Sequence, residues 1–280
     1  MVGIDRTTDH TATAPQPGAG TPALDSPLLD VQNVEMVFGS GKHAYKVLED
    51  CSLQVGRGEF VCLLGPSGCG KSTLMNIVAG FERPTAGVAL FEGQPIEGPS
   101  PRRVVCFQDA MQAILPWETC RNNLNFALSV RRVPRHEREA IISRCLEITG
   151  LAAHGDKYPT ELSGGMRQRL QISRALAVNP ETMLMDEPFG ALDAMTRTQM
   201  QQELLRVWAE TQKSILFITH DIDESLILAD RICVMNVGPS SRVIESITID
   251  QPRPREIYDS KLSSLGRKIK ALLGRSDDSH

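Results

Sequence analysis

Short apolar runs separated by glycines open the patterned part of the chain. They occupy residues 29–38, 52–55, 60–64 and 88–91, and glycines such as Gly39, Gly56 and Gly87 stand between them. Apolar runs of this length between turn residues are typical of β-strands. The pattern predicts a small antiparallel β lobe that begins near Leu28 and leads into the segment after residue 64.

The middle of the chain has a helical period instead. Between residues 139 and 148, apolar side chains stand at positions 141, 142, 145, 146 and 148, and Gly150 follows as a stop. This spacing indicates one buried face of a helix. A second amphipathic run covers residues 166–178 and ends at Asn179-Pro180. We therefore predict a helical insert over about residues 117–165, followed by a long helix.

Three further apolar runs, at residues 104–107, 182–185 and 214–219, are typical of buried strands. Polar residues follow two of them directly: Asp186 and Glu187 follow the second run, and His220 follows the third. In an open parallel sheet, ligands bind outside the carboxyl ends of the strands. The sequence thus predicts an α/β fold in which Asp186, Glu187 and His220 share one sheet edge with the loop after residue 64.

The two ends of the chain differ from this pattern. Residues 1–27 are rich in Thr, Ala, Pro and Gly, with few large apolar side chains, so we expect a disordered tail. One domain then covers residues 28–255, and residues 256–280 form a polar C-terminal tail. That tail contains an amphipathic segment, 262–273, with basic residues such as Arg267 and Lys270. A helix packed on the domain is favoured there over a helix on a membrane surface.

Composition and charge exclude some classes of function for this chain. With 280 residues and 41% apolar side chains, the chain is expected to fold around a buried core. A net charge of −4, with both signs interspersed, gives no basic face for nucleic acid. The seven cysteines are far apart, without metal-ligand spacing, and indicate buried thiols in a reducing compartment. No run approaches the ~20 apolar residues of a membrane span, and no signal peptide is expected.

The most informative stretch follows the apolar run 60–64 and has the pattern G-x-x-x-x-G-K-[ST]. Its residues are Gly65, Pro66, Ser67, Gly68, Cys69, Gly70, Lys71, Ser72 and Thr73. Glycines let backbone N–H groups approach phosphate oxygens, and the following helix start adds positive charge. Lys71 is predicted to reach the β- and γ-phosphates and Ser72 to bind Mg²⁺. An accidental match is disfavoured by the strand before this stretch and the helical residues after it.

Several motifs follow this loop in a fixed order. They are Gln108, Leu162-Ser163-Gly164-Gly165, the apolar run ending in Asp186-Glu187, Ala191-Leu192-Asp193, and His220. In this order they closely resemble the nucleotide-binding subunit of ATP-binding cassette (ABC) transporters, over about residues 28–250. The resemblance implies a P-loop NTPase core of the ABC type, with ATP and Mg²⁺ as cofactors.

The resemblance also implies a role for each matching residue. Asp186 holds the Mg²⁺ shell opposite Ser72, and Glu187 orients and deprotonates the attacking water. His220 steadies charge near the γ-phosphate, and Gln108 touches Mg²⁺ or the water while its loop faces a membrane partner. Glu187, His220 and Gln108 are thus the implied catalytic residues, and Ser72, Gln108 and Asp186 the implied metal-binding residues.

In this family Ser163, Gly164 and Gly165 face the γ-phosphate of a second subunit's nucleotide. Two composite sites then form in a head-to-tail dimer, with Asp193 at the same seam. Met166 replaces the glutamine that usually follows these glycines. The alternative reading is that Ser163-Gly164-Gly165 is merely a helix cap.

An aromatic residue upstream of the phosphate loop is expected to stack on adenine. Phe38 stands at the usual place, Tyr45 is a second candidate, and core packing is the rival interpretation for Phe38.

Three features resemble one branch of the family: the 107–117 stretch ending in Pro116-Trp117, Gly98-Pro99-Ser100, and the 251–255 segment Gln-Pro-Arg-Pro-Arg. That branch imports nitrate, sulfonates, taurine and bicarbonate. The implied partners are integral membrane permease subunits, a periplasmic or lipid-anchored solute-binding protein, and a second copy or a paralogous ATPase, but no nucleic acid. The implied location is peripheral, on the cytoplasmic side of the inner membrane. A non-transport ABC ATPase or an importer of another solute remain alternatives, while a small-molecule kinase would lack the Leu162–Gly165 motif and His220.

Overall fold

Ten strands form two sheets in the computed structural model of the chain, which describes residues 26–236 and 240–274. Residues 1–25 of the predicted N-terminal tail lie outside the described residues. The strands, in chain order, are β1 (Leu29–Phe38), β2 (Tyr45–Val55), β3 (Phe60–Leu64), β4 (Ala86–Phe91), β5 (Gln94–Pro95), β6 (Arg103–Cys106), β7 (Thr182–Asp186), β8 (Ser214–Thr219), β9 (Arg231–Met235) and β10 (Val243–Thr248).

The larger sheet has the order β10-β9-β3-β8-β7-β6, and its strands are parallel except for β10. All five residues of β3 are buried. Phe60, Cys62 and Leu64 face one apolar cluster, while Val61 and Leu63 face the other. Burial of both faces explains why the parallel strands appear as continuous apolar runs rather than alternating ones.

The smaller sheet, β2-β1-β4-β5, is antiparallel and forms the predicted β lobe. Strand β2 is much longer than the predicted run 52–55. Its first half contains Glu49 and Asp50, which lie on the exposed side, and register shifts against β1 break the simple alternation. These two effects hide the strand from a search for apolar runs.

Seven α-helices are present in the described part of the chain. They are α1 (Lys71–Ala79), α2 (Cys120–Val130), α3 (Arg135–Ile148), α4 (Gly164–Ala177), α5 (Ala194–Thr211), α6 (Ile222–Leu228) and α7 (Ser260–Gly274). Helices α2 and α3 lie within the predicted insert and pack against each other and α4. The α/β class with a β lobe and a helical insert is therefore confirmed.

Helix α7 contains the amphipathic segment predicted at 262–273. Leu262 and Ile269 are buried in the core shared with α6 and β9, and Lys268 forms an ion pair with Glu245 of β10. The apolar face of α7 is thus covered by protein, as expected for the packed-helix interpretation. None of the described helices is long and apolar enough to cross a membrane.

Candidate functional site

The sheet order places three loops side by side. Strand β8 lies between β3 and β7, and the three strands run parallel. The glycine-rich loop follows β3, Glu187 follows β7 and His220 follows β8. The structure therefore brings these segments to one sheet edge, as the sequence argument predicts.

Helix α1 begins without the usual cap. Its N-cap is Gly70, at φ 89°, with no side-chain acceptor and no acidic residue in the first turn. By contrast, Ser163, Asp193 and Asp221 cap α4, α5 and α6 with side-chain oxygens. The start of α1 thus has neither a capping side chain nor an acidic residue, and a helix start of this kind can bind an anion.

The loop before α1 has the shape of a phosphate cradle. Gly68 adopts φ +80°, and a Cβ added there would project into open space, so the backbone itself faces the site. Lys71 is only 4% exposed, and its Nζ donates to the carbonyls of Gly65 (2.8 Å) and Pro66 (2.9 Å). These bonds fix the ammonium group at the loop. The residues present fit a bound triphosphate.

Ser72 and Asp186 provide oxygen ligands beside this cradle. The Ser72 hydroxyl donates to Asp186 Oδ1 over 3.3 Å. Burial raises the pKa of Asp186, and the hydroxyl contact opposes that shift. A hard divalent cation prefers such oxygen ligands and would favour the ionised carboxylate. The pair therefore fits Mg²⁺.

Glu187 lies between two nitrogen atoms. Its carboxylate is 3.0 Å from His220 Nδ1 and 3.7 Å from Lys71 Nζ. Its backbone has φ +42°, a region that side-chain-bearing residues rarely adopt, and a hydrogen bond to the Ile218 carbonyl (3.0 Å) holds it there. Backbone strain of this kind concentrates at functional sites.

Gln108 lies across the same edge. Together with Asp186 and Gly164 it lines a cavity of about 480 Å³. A Cβ added to Gly190 would come within 2.9 Å of Gln108 Nε2, so this amide packs closely on the turn after Glu187. The structure thus brings Gln108 to the predicted metal ligand, but shows no direct bond between them among the described residues.

The Ser163 segment does form a helix cap. Ser163 Oγ accepts a hydrogen bond from Met166 N (3.3 Å), and Gly165 is so close to α5 that a Cβ would lie 2.9 Å from Thr196 Cγ2. Asp193 caps α5 by accepting from Met195 and Thr196. In the described residues, no hydrogen bond or ion pair joins Ser163 to the 65–73 loop.

Both adenine-stacking candidates lie near each other. The Phe38 and Tyr45 rings have centroids 5.8 Å apart and are inclined by 32°. Phe38 packs partly on the core of the β lobe, whereas Tyr45 is 61% exposed. The geometry supports core packing for Phe38 and leaves Tyr45 freer to meet a ligand, and stacking remains a prediction for both.

The loop that ends in Trp117 is rigidly held. Asn123 of α2 is fully buried and accepts from Leu115 N (2.7 Å), and the two hydrogens of its Nδ2 are shared among the carbonyls of Leu115, Glu118 and Thr119 (3.0 Å each). The Trp117 side chain, inside this loop, is 70% exposed. A buried asparagine thus presents an exposed indole on a fixed backbone.

All seven cysteines are buried and free, as expected. A thiol at a helix N-terminus usually has a lowered pKa, but burial raises the pKa of Cys69, and Lys71 only partly opposes this shift. Cys69 is 3% exposed, and its Sγ lies against Gly65. Desolvation of the thiolate outweighs the helix start here.

We therefore predict slow alkylation of Cys69 that accelerates as pH rises. The thiolate is the reactive form, and a raised pKa means that less of it exists at pH 7.5 than in a free cysteine. Inactivation by a maleimide should be slower than alkylation of a cysteine peptide, and ATP should protect. Rates measured from pH 7 to 9 with wild type and Cys69→Ala check this. Equal inactivation of Cys69→Ala would assign the effect to another cysteine.

Sequence patterns gave no sign of the residues behind His220. Arg197 and Gln201 of α5, and Glu224 of α6, pack there, with Glu224 and Gln201 buried. Arg197 lies in the first turn of α5, after its Asp193 cap, and Glu224 lies in the first turn of α6, after its Asp221 cap, but these positions alone do not distinguish the two residues from others in the chain.

Comparisons with known proteins agree with this geometry. Residues 48–190 match the sequence profile of the ABC transporter family. The nitrate import ATP-binding protein NrtD of Synechococcus elongatus is 45% identical over 225 residues, which cover 80% of this chain and 81% of that protein. The bicarbonate transport ATP-binding protein CmpD of Synechocystis sp. is 46% identical over 230 residues, 81% of either chain.

Solved structures give the same result. CbiO1 from Clostridium perfringens, part of the CbiONQ transporter complex, superposes with a TM-score of 0.74 at 26% identity, covering 90% of this chain and 97% of CbiO1. The dimeric ATP-binding cassette MJ0796, bound to ADP and phosphate, superposes with a TM-score of 0.66 at 28% identity, covering 80% of this chain and all of that one.

The sheet edge and its phosphate loop define an ATPase of the P-loop class with the cassette architecture. The chain belongs to the ABC transporter family, as an ATP-binding subunit. The predicted fold and ATPase activity are thereby confirmed. The roles of the individual site residues stay predictions.

Proposed function

We propose that this chain is the ATP-hydrolysing subunit of an importer for a small anion, of the nitrate or bicarbonate kind. The observation that carries the proposal is the position of Glu187, 3.0 Å from His220 and 3.7 Å from Lys71, beside the phosphate cradle. A carboxylate there can accept a proton from water that attacks the γ-phosphate. The identities of the relatives named above support an anion as cargo.

The residues divide the chemistry as follows. The 65–73 backbone and Lys71 bind the phosphates, and Ser72 and Asp186 hold Mg²⁺, with Gln108 next to them. Bound Mg²⁺ supplies charge neutralisation for the transferred phosphoryl group. Glu187 takes the proton, and His220 keeps that carboxylate oriented and donates toward developing charge. Because catalysis here is mostly positioning, the strained Glu187 backbone belongs to the mechanism.

We further propose that two chains act together, with Ser163 and Asp193 of one completing the site of the other. The start of α1, which has no side-chain cap, and the separate Ser163 cap of α4 support this arrangement, since each offers backbone N–H groups to a phosphate from a different part of the chain. The dimeric cassette structure supports it too. Permease subunits and a periplasmic or lipid-anchored binding protein complete the proposed complex, which places the chain peripherally on the cytoplasmic face of the membrane.

We expect Trp117→Ala to abolish uptake while basal ATP hydrolysis stays within about twofold of wild type. An exposed, rigidly held indole is the kind of anchor that dominates interface energies, with losses of ~2 kcal/mol or more on truncation. Trp117 is exposed and is not one of the proposed catalytic residues. Uptake of labelled nitrate and bicarbonate in a deletion strain, with purified-protein ATPase in parallel, measures both effects.

Tyr258→Ala is the matched control, because this aromatic side chain is 94% exposed but lies before α7, far along the chain from the Trp117 loop. It should transport normally. Normal anion uptake in the deletion strain would refute the importer proposal, whereas wild-type uptake by Trp117→Ala would refute only the coupling surface.

A further inference from the structure

The turn that carries His220 is bonded through its neighbours to helix α5. The Thr219 hydroxyl accepts from Asp221 N (3.0 Å) and donates to Glu224 Oε2 (2.6 Å), so it brackets His220. Glu224 is 6% exposed, and Gln201 of α5 donates to its other oxygen (3.4 Å). Burial raises the pKa of Glu224. The hydrogen bonds from Thr219 and Gln201, and the charge of Arg197, oppose that shift.

Arg197 lies next to both acidic residues of this turn. It precedes Gln201 by one helical turn on the same face of α5. Its Nη1 lies 3.8 Å from Asp221 Oδ2, and its Nε lies 3.9 Å from Glu224 Oε1. Its Nη2 donates to the Leu192 carbonyl (3.1 Å) in the turn before α5. One guanidinium group thus connects the Ala191–Asp193 turn with the two acidic residues that support the His220 turn.

Arg197 does not use all of its hydrogen-bond donors. Its Nε is buried and has no hydrogen-bond partner in the described structure, because Glu224 is beyond bonding distance. A cavity of about 40 Å³ lies between this group and the Glu187–His220 pair. Mostly polar residues line this space, which is large enough for a water molecule. Arg197 therefore borders the same small cavity as the catalytic pair.

We propose that Arg197 is a positioning residue for His220, acting through Asp221 and Glu224. The guanidinium group fixes the turn that orients the His220 imidazole toward Glu187. Because Arg197 also donates to the Leu192 carbonyl, the orientation of the imidazole depends on the position of the Ala191–Asp193 turn. The inference rests on the proposed function, which supplies hydrolysis at Glu187 and the second chain at Asp193. It adds the residue through which the dimer seam and the imidazole are coupled.

Three variants test the proposal: Arg197→Met, Asp221→Asn, and the two combined. Methionine keeps the length of the side chain without its charge, and asparagine caps helix α6 as well as aspartate does. We expect each single variant to lower kcat about tenfold or more, since small misplacements of a catalytic group have effects of this size. KM for ATP should stay within about twofold. The double variant should be no slower than the slower single, because both substitutions break one linkage.

Arg206→Met is the matched control. Arg206 also lies on α5, donates to a backbone carbonyl, that of Ile148, and pairs with Glu203, but faces away from the site. The kcat of the Arg206→Met variant should equal that of wild type. Wild-type kcat in Arg197→Met, or a double variant whose defect is the product of the two single defects, would overturn the proposal. So would an equal kcat loss in Arg206→Met.

The thermal unfolding midpoint of each variant is measured along with its kinetics. A variant that loses stability but keeps the wild-type kcat per folded molecule has only a structural defect. That result would also overturn the proposal. If Arg197→Met does not fold, Asp221→Asn alone decides, by the same tenfold criterion. Failure of the proposed function is distinguishable, because it would appear in wild type as absent hydrolysis, or as unimpaired hydrolysis by Glu187→Gln, in the same assay.

Discussion

Glu187→Gln should bind ATP with wild-type affinity and hydrolyse it about 10²–10⁴ times more slowly, the range that a positioned general base contributes. The amide cannot accept the proton of the attacking water. Binding should survive, because the cradle consists of backbone N–H groups and Lys71, whose ammonium group is fixed by the carbonyls of Gly65 and Pro66. Single-turnover hydrolysis and equilibrium ATP binding measure the two effects separately.

The control for this variant is Glu245→Gln. Glu245 is a partly exposed glutamate of β10 with one ion-pair partner, Lys268, and it lies outside the site. It should hydrolyse ATP at the wild-type rate. Turnover by Glu187→Gln close to that of Glu245→Gln would contradict the role of Glu187 as base. Loss of ATP binding in Glu187→Gln would instead show that this carboxylate holds the cradle together.

The sheet edge could be predicted because buried parallel strands leave a plain signal. The runs that became β3, β7 and β8 are continuous and apolar, and each leads directly into a residue or loop that the site uses. A polar residue directly after such a strand has its position fixed by the strand itself. Hence Glu187 and His220 could be placed together without any knowledge of their actual distance.

Three features could not be predicted from the sequence, because each depends on how distant segments pack together. The Cys69 pKa depends on how deeply the loop is buried, and local spacing suggests the opposite sign. Strand β2 is hidden by charged residues on its exposed face. Arg197 is one of many arginines in the chain, and only packing of α5 against the His220 turn makes it distinctive. Such residues become visible when helices are placed in space.

The second large effect should appear in heterodimers. If Lys71 of one chain and Ser163 of the other share a nucleotide, then Lys71→Ala paired with Ser163→Arg leaves one site intact and places both substitutions in the other. Wild type paired with the double variant puts one substitution in each site. Both dimers contain the same two changes and differ only in their arrangement, so the second is the control for the first.

We expect the first heterodimer to retain about half of the wild-type activity, if its one intact site works independently, and the second to fall to background. Dimers isolated through two different affinity tags, then assayed for ATP hydrolysis, provide the measurement. Ser163 also caps α4, and loss of that cap costs about 1 kcal/mol. This cost is the same in both arrangements and cannot produce a difference between them. Half of the wild-type activity in both heterodimers would therefore show that each chain hydrolyses ATP with its own residues alone.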